Sequence, residues 1–96
     1  MKGVQMARTC AGTPTQYEGT VDGYPAYFRF RFGCLSFTIV KKGADPSWSL
    51  GEDVLHHYSV KYDDLPRAGD MSDQDAREIM RVEIEKFRVA LAGRNS

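Results

Sequence analysis

The side chains best suited to chemistry in this sequence are two adjacent histidines, His56 and His57. Neighbouring residues on a strand point to opposite faces of a sheet, so the two imidazoles cannot hold one metal ion from the same side. No Cys-x-x-Cys, His-Glu-x-x-His or EF-hand spacing accompanies them. We therefore expect no metal site, and no other cofactor is indicated.

Nucleophilic catalysis and phosphate binding are disfavoured for a similar reason. Ser, Cys and His are all present, but no nucleophile lies in a recognisable strained turn with a base and a third residue marked beside it. Gly19 and Gly23 suit a hairpin, and no helix follows them, as a phosphate-binding loop requires. We expect a protein that is not an enzyme.

Basic and aromatic residues alternate along one segment of the chain. Tyr27, Arg29 and Arg31 would share one face of a strand, and Lys41 and Lys42 end the next apolar segment. Single-stranded nucleic acid stacks on surfaces of this kind. The same arginines are also typical of an exposed sheet face that is simply solvated, so both interpretations stay open.

Acidic residues are concentrated in the middle third, although 13 basic and 13 acidic residues give a formal net charge of zero. Glu52 and Asp53 precede an alternating segment, and Asp63 and Asp64 follow it. Clusters of this kind occur in solvated loops and in surfaces that dock on a basic partner. Trp48 adds an aromatic side chain of the type that often dominates protein interfaces.

A sheet is needed to position these side chains, and residues 17–33 organise it. Asp22-Gly23 is a strong signal for a type I′ hairpin turn, in which both central residues need positive φ. The strands on either side should pair antiparallel. Alternation resumes across 35–40 and again across 54–62, which predicts a third and a fourth strand.

The C-terminal third predicts one long helix. Ser72 is a suitable N-cap and Gly93 a suitable stop, which places the helix over about 73–92. At about 100° per residue the apolar side chains fall on one side, wide enough to cover a sheet face. That side comprises Ala76, Ile79, Met80, Ile84, Phe87, Ala90 and Leu91. Glu83 falls within it, either reaching the edge or forming a buried carboxylate.

Together these patterns predict an α+β fold: an antiparallel three- to four-stranded meander sheet with one long C-terminal helix packed on one face. With 96 residues, we expect a single domain over residues 16–96, preceded by an N-terminal arm over 1–15 that is either flexible or loosely docked as a strand. Cys10 and Cys34 are too few for a disulfide framework and are expected to be reduced. No secretory signal and no run of about 18 apolar residues is present, so we expect a cytoplasmic protein without membrane contact.

The hairpin segment also carries a resemblance to known proteins. The runs Glu-Gly-x-Val-Asp-Gly-x-Pro, from Glu18, and Phe-Arg-Phe-Arg-x-Gly, from Phe28, resemble small proteins of phages and mobile elements. The chain is similar in size and style to phage anti-CRISPR inhibitors. The resemblance covers residues 17–33, and these inhibitors share no common motif, so it transfers no functional residue. It implies a stand-alone, non-enzymatic module that docks on a nucleic-acid-handling effector in the host cytoplasm and blocks it.

Two functions therefore remain: an inhibitor that binds a host protein or protein–nucleic-acid complex, and, as the alternative, a nucleic-acid-binding module that uses the basic and aromatic strand face. A homodimer is a separate option, because Val82 and Val89 lie on the far side of the predicted helix. The candidate partner-binding residues are Tyr27, Arg29, Arg31, Trp48, Glu52, Asp53, Asp63 and Asp64.

Overall fold

Five strands and one long helix make up the described part of the chain. The computed structural model describes residues 3–9, 15–31, 34–47, 51–61 and 73–94. The strands are β1 (Val4–Arg8), β2 (Thr15–Val21), β3 (Tyr24–Arg31), β4 (Cys34–Val40) and β5 (Val54–Lys61). A short 3-10 helix (Gly51–Asp53) leads into β5, and the helix α1 spans Asp73–Arg94.

The strands form one antiparallel sheet in the order β1-β2-β3-β4-β5, so each strand pairs with its sequence neighbours. The turn from β2 to β3 has positive φ at both central residues, 53° at Asp22 and 88° at Gly23, as a type I′ turn requires. Cys34 begins β4 as an exposed free thiol, and Cys10 lies outside the described residues. The α+β class and the antiparallel sheet with a C-terminal helix are confirmed.

The prediction of three to four strands was wrong, because the segment expected to be an arm contributes β1. β1 runs along β2 with Val4 opposite Val21. Val4 and Met6 are the apolar residues that β1 turns toward the core, and both are only half-buried at this edge of the sheet. The apolar alternation in this segment is therefore short and weak. A β-carbon at Gly19 would lie 1.7 Å from the carbonyl oxygen of Gln5, so the missing side chain lets the two strands approach.

The core lies between α1 and the sheet face that it covers, which we call the inner face. Phe28 and Phe30 of β3 are completely buried there. Tyr17 of β2 packs edge-on against Phe28, with ring centroids 5.8 Å apart, and its hydroxyl donates to Asp73 in the first turn of α1. The helix contributes Ala76, Met80, Ile84 and Phe87 to the core. Phe28 and Phe30 therefore face the core, and the alternate residues Tyr27 and Arg29 lie on the opposite face of β3.

The helix matches its predicted span except near its end. Gly93 lies within α1, which continues to Arg94, and nothing lies within 4 Å of a β-carbon placed at Gly93. The φ of Gly93 is not positive, so this glycine does not form the left-handed cap that would end the helix. Ala90, expected on the apolar side, is exposed, and Ser72 lies outside the described residues. No helix in the described ranges has the length and apolar character needed to cross a membrane.

An ion pair ties the hairpin turn to α1. Nε and Nη2 of Arg88 donate to the two carboxylate oxygens of Asp22, at 2.8 and 2.9 Å. The hydrogen bonds from Arg88 hold the pKa of Asp22 below its ordinary value of 3.8. The backbone N–H of Asp22 also donates to the carbonyl of Gly3, at 2.7 Å. The turn therefore joins β1, the hairpin and the helix at one corner of the molecule.

Candidate functional site

The sheet face opposite α1, which we call the outer face, carries the predicted basic and aromatic side chains. Tyr27 and Arg29 alternate along β3 with the buried Phe28 and Phe30, and both are half-buried. Alternation on a strand explains the separation, because successive side chains point to opposite faces. Arg31 is the last residue of β3, and its side chain is outside the described structure.

A groove of about 450 Å³ lies on the outer face. Its floor is made by side chains of β3, β4 and β5, namely Tyr27, Arg29, Ser36, Thr38 and His57. Its wall is made by the connection from β4 to β5 and by the start of β5, namely Pro46, Ser47, Gly51 and Val54. We call these nine residues the outer-face groove.

Strand pairing brings the floor residues together. Tyr27 lies opposite Thr38, and Thr38 lies opposite His57, so these three form one row across the sheet. Arg29 lies opposite Ser36 in the next row of the same face. Thr38 Oγ1 is 3.0 Å from Nδ1 of His57. This hydrogen bond orients the imidazole and leaves Nε2 as its second polar atom.

Local hydrogen bonds hold the wall in place. The backbone N–H of Lys41 donates to the carbonyl of Asp53, at 2.9 Å, and Nζ of Lys41 is 2.9 Å from Oδ1 of Asp53. The backbone N–H and hydroxyl of Ser47 both donate to Oδ1 of Asp45, at 2.9 and 2.6 Å. The Ser47 hydrogen bonds hold the pKa of Asp45 below its ordinary value of 3.8. These bonds hold the described parts of the connection, residues 41–47 and 51–53, beside the groove.

Arg29 has an unsatisfied donor at the floor of the groove. Its Nε is buried, and no described residue accepts a hydrogen bond from it. A guanidinium keeps its protons in proteins, so this N–H is always a donor. Leaving a buried donor without an acceptor costs about 1–3 kcal/mol. A ligand that brings an acceptor into the groove would remove that cost.

Burial and two charged neighbours together set the pKa of Tyr27. Burial raises the pKa of its phenol above the ordinary value of 10.0; the charge of Arg29 opposes the rise and the charge of Glu18 adds to it. Tyr27 therefore stays neutral at physiological pH and offers a hydroxyl together with a half-buried ring. An aromatic ring of this kind contributes apolar contact and one polar atom to an interface.

The acidic candidates do not join this group as a free cluster. Glu52 is exposed on the 3-10 helix beside the groove wall. Asp53 is paired with Lys41, although 41% of its side-chain surface remains exposed. The remaining predicted candidates, Trp48, Asp63 and Asp64, lie outside the described residues. The structure thus brings Tyr27 and Arg29 together and leaves Glu52 and Asp53 at the rim.

The sequence analysis missed Ser36, Thr38 and His57 as one group. Alternation places Ser36 and Thr38 on the outer face, but only the register between β4 and β5 adds His57. That register cannot be predicted from a single sequence. The signal that could have found the group is the run of small polar residues that faces Tyr27 and Arg29 on the neighbouring strand.

His56 points to the inner face and His57 to the outer face, so the two imidazoles lie on opposite sides of the sheet, as alternation predicts. Its Nε2 is 2.9 Å from Oε1 of Glu83, whose other oxygen accepts from Nζ of Lys86 at 3.0 Å. Glu83 is 4% exposed, so it is a buried carboxylate satisfied by two partners. The ring of His56 also packs edge-on against Phe87. Among the described residues, no group of three or more His, Cys, Asp or Glu side chains is arranged to hold a metal ion.

The outer-face groove has to be interpreted from its own geometry. The resemblance of residues 17–33 to small phage proteins stays a prediction. No protein-family model, curated protein or solved structure matches this chain.

Proposed function

We propose that this protein is a non-enzymatic binding module that docks on a partner protein through the outer-face groove. The observation that carries the proposal is the unsatisfied Nε of Arg29 beside the half-buried ring of Tyr27. Tyrosine and arginine are the residue types that most often dominate binding energy when they lie in a shielded, concave part of an interface.

The size of the groove suits one inserted side chain or a short peptide segment. Its volume of about 450 Å³ falls within the range of about 300–1,000 Å³ that is usual for binding pockets. Its floor is the paired centre of the sheet, where β3, β4 and β5 hold one another in register. A floor of this kind is rigid before binding, which lowers the entropy lost on association.

We further propose that docking inhibits the partner, a host effector that handles nucleic acid. This part rests on the small size of the module and on its resemblance to phage inhibitors. The acidic segment is a weaker docking candidate than the outer-face groove, because Asp53 is already held by Lys41. Glu52 remains at the rim, where it can orient a basic surface during approach without carrying much of the affinity.

Single-stranded nucleic acid is the second candidate ligand. It is favoured by Tyr27 and Arg29 on one sheet face, since bases stack on aromatic rings and arginine contacts phosphate. Lys61 at the end of β5 is exposed and adds one positive charge to that end of the sheet. The binding of nucleic acid would weaken steeply as salt is added.

The test is capture of a partner from a bacterial lysate with variant baits. The baits are the wild type, Arg29→Glu, Tyr27→Ala, and Arg81→Glu as the matched control. Arg81 lies on the exposed side of α1, where it pairs with Glu78. Each capture is run with and without nuclease treatment.

The proposal expects a protein that is captured by the wild type and by Arg81→Glu and is lost with both groove variants, whether or not nuclease is added. A protein captured equally by all four baits would contradict docking through the groove. Capture that disappears only after nuclease treatment would favour the nucleic-acid alternative.

A further inference from the structure

We infer that the outer-face groove is a carboxylate-binding site in which Arg29 receives an acidic side chain of the partner protein. This inference rests on the proposed function and specifies the chemical group that the groove recognises. It follows from the donors that line the groove, from the missing acceptor at Arg29, and from the charges at the rim.

The donor set fits a carboxylate. Arginine presents its N–H groups in a planar fork that matches the two oxygens of a carboxylate, and Nε is one edge of that fork. No described residue accepts a hydrogen bond from Nε of Arg29. Arg88 shows the forked arrangement in the same protein, because its Nε and Nη2 donate hydrogen bonds to the two carboxylate oxygens of Asp22. At Arg29 the Nε–H has no such acceptor among the described residues.

Neighbouring side chains can satisfy the remaining oxygen lone pairs. Ser36 lies opposite Arg29 in the strand register, and both residues line the groove. Thr38 and His57 line the same groove and are already bonded to each other. A carboxylate accepts about four hydrogen bonds, so a guanidinium together with hydroxyl and imidazole donors is a suitable complement.

The rim favours a single carboxylate over a polyanion. Glu18 lies opposite Tyr27 on β2, and Asp45 and Asp53 are held at the wall. These carboxylates repel any anion, but the repulsion grows with the number of charges that pass them, so it is smaller for one acidic side chain than for a phosphate backbone. The wall also closes one side of the groove, while a row of stacked bases needs an open platform.

The experiment observes the Nε–H signal of Arg29 directly in ¹⁵N-labelled full-length protein. The probe is a capped peptide of glutamates, and the matched probe is the same peptide with glutamines. Two further arms use inorganic phosphate and oligothymidylate. The variants are Arg29→Lys and, as the control on α1, Arg81→Lys.

We expect a saturable downfield shift of the Arg29 Nε–H signal when the glutamate peptide is added. The glutamine peptide should bind about ten- to hundredfold more weakly, because hydrogen bonds to a charged group are stronger than those to a neutral one. Arg29→Lys keeps the charge but loses the fork, so it should weaken glutamate-peptide binding about tenfold. Arg81→Lys should bind as the wild type does. If Arg29→Lys fails to fold, the peptide comparison on the wild type still decides.

Equal binding of the two peptides, or no response to either, would overturn the inference. A response to oligothymidylate or phosphate that exceeds the response to the glutamate peptide would overturn it in favour of a phosphate ligand. The proposed function fails separately: nuclease-resistant capture that is lost in Arg29→Glu, without any peptide response, would keep groove docking and reject the carboxylate.

Discussion

Replacing Gly19 with alanine should detach β1 from the sheet. The added β-carbon would lie 1.7 Å from the carbonyl oxygen of Gln5, 2.7 Å from its carbonyl carbon and 3.0 Å from Cα of Met6. All three are backbone atoms, so no side-chain rotation relieves the contact. An ordinary contact needs a separation of about 3.4 Å or more. The backbone of Gln5 would therefore have to move away by about 1.7 Å, which exceeds the tolerance of a hydrogen bond.

The cost can be estimated from what β1 contributes. Its pairing with β2 runs over five opposed residue pairs, from Val4 with Val21 to Arg8 with Tyr17. Losing two or three backbone hydrogen bonds at about 1 kcal/mol each, and part of the burial of Val4 and Met6, gives a loss of about 2–4 kcal/mol. Only a fraction of each side chain is involved, because both are half-buried.

Urea denaturation and amide hydrogen exchange measure this prediction. Gly19→Ala should lower the free energy of unfolding by the stated amount, and amides of β1 should lose protection before those of β3. The control is Gly93→Ala, where an added β-carbon meets nothing within 4 Å and the helix should gain about 0.5–1 kcal/mol at most. A Gly19→Ala protein with wild-type stability and protected β1 amides would refute the close approach of β1 to Gly19.

Three further predictions concern the core and its ion pairs. Phe30→Ala should lower the free energy of unfolding by about 3–5 kcal/mol, because the ring is fully buried. Glu83→Gln should cost about 1.5–3 kcal/mol, since the buried carboxylate bonded to His56 is replaced by a neutral amide. Asp22→Asn should cost about 0.2–1 kcal/mol, because the pair with Arg88 is partly exposed. The cost at Asp22 should be present above pH 3.8 and shrink below it, since the pKa of the carboxyl is lowered in the folded protein.

Urea denaturation of each variant checks these values, at pH values above and below 3.8 for Asp22→Asn. Asparagine also tolerates positive φ, so this substitution preserves the turn and isolates the charge. A difference from the wild type that does not change with pH would contradict the role assigned to the ion pair. Wild-type stability in Phe30→Ala would reverse the assignment of the two hairpin faces, and wild-type stability in Glu83→Gln would remove the buried pair as a stabilising element.

Local patterns were enough to predict most of the sheet and the helix. Asp22-Gly23 specifies its turn through backbone sterics, and the alternation of Phe28 and Phe30 with Arg29 specifies the two faces of β3. These signals act over a few residues, so one sequence contains them. The sequence left residues 1–15 open between a flexible arm and a docked strand, because the pairing of β1 depends on Gly19 of β2, whose role no pattern within residues 1–15 shows.

The site was predictable only in part, for the same physical reason. Tyr27 and Arg29 share a strand and therefore a face, which alternation reveals. His57 joins them through the register of β5 against β4, and Glu83 finds His56 through the packing of α1 on the sheet. Both are tertiary contacts, and the residue pattern of one segment does not identify the segment that it contacts.

The most direct test of the central claim, that the outer-face groove is the docking surface, is photo-cross-linking. A photoreactive phenylalanine replaces His57, which lies in the groove, or Glu85, which is exposed on α1. We expect a discrete cross-linked protein partner from position 57, resistant to nuclease, and none from position 85. Cross-linking of the same partner from position 85 alone would contradict the claim and place the interface on the helix.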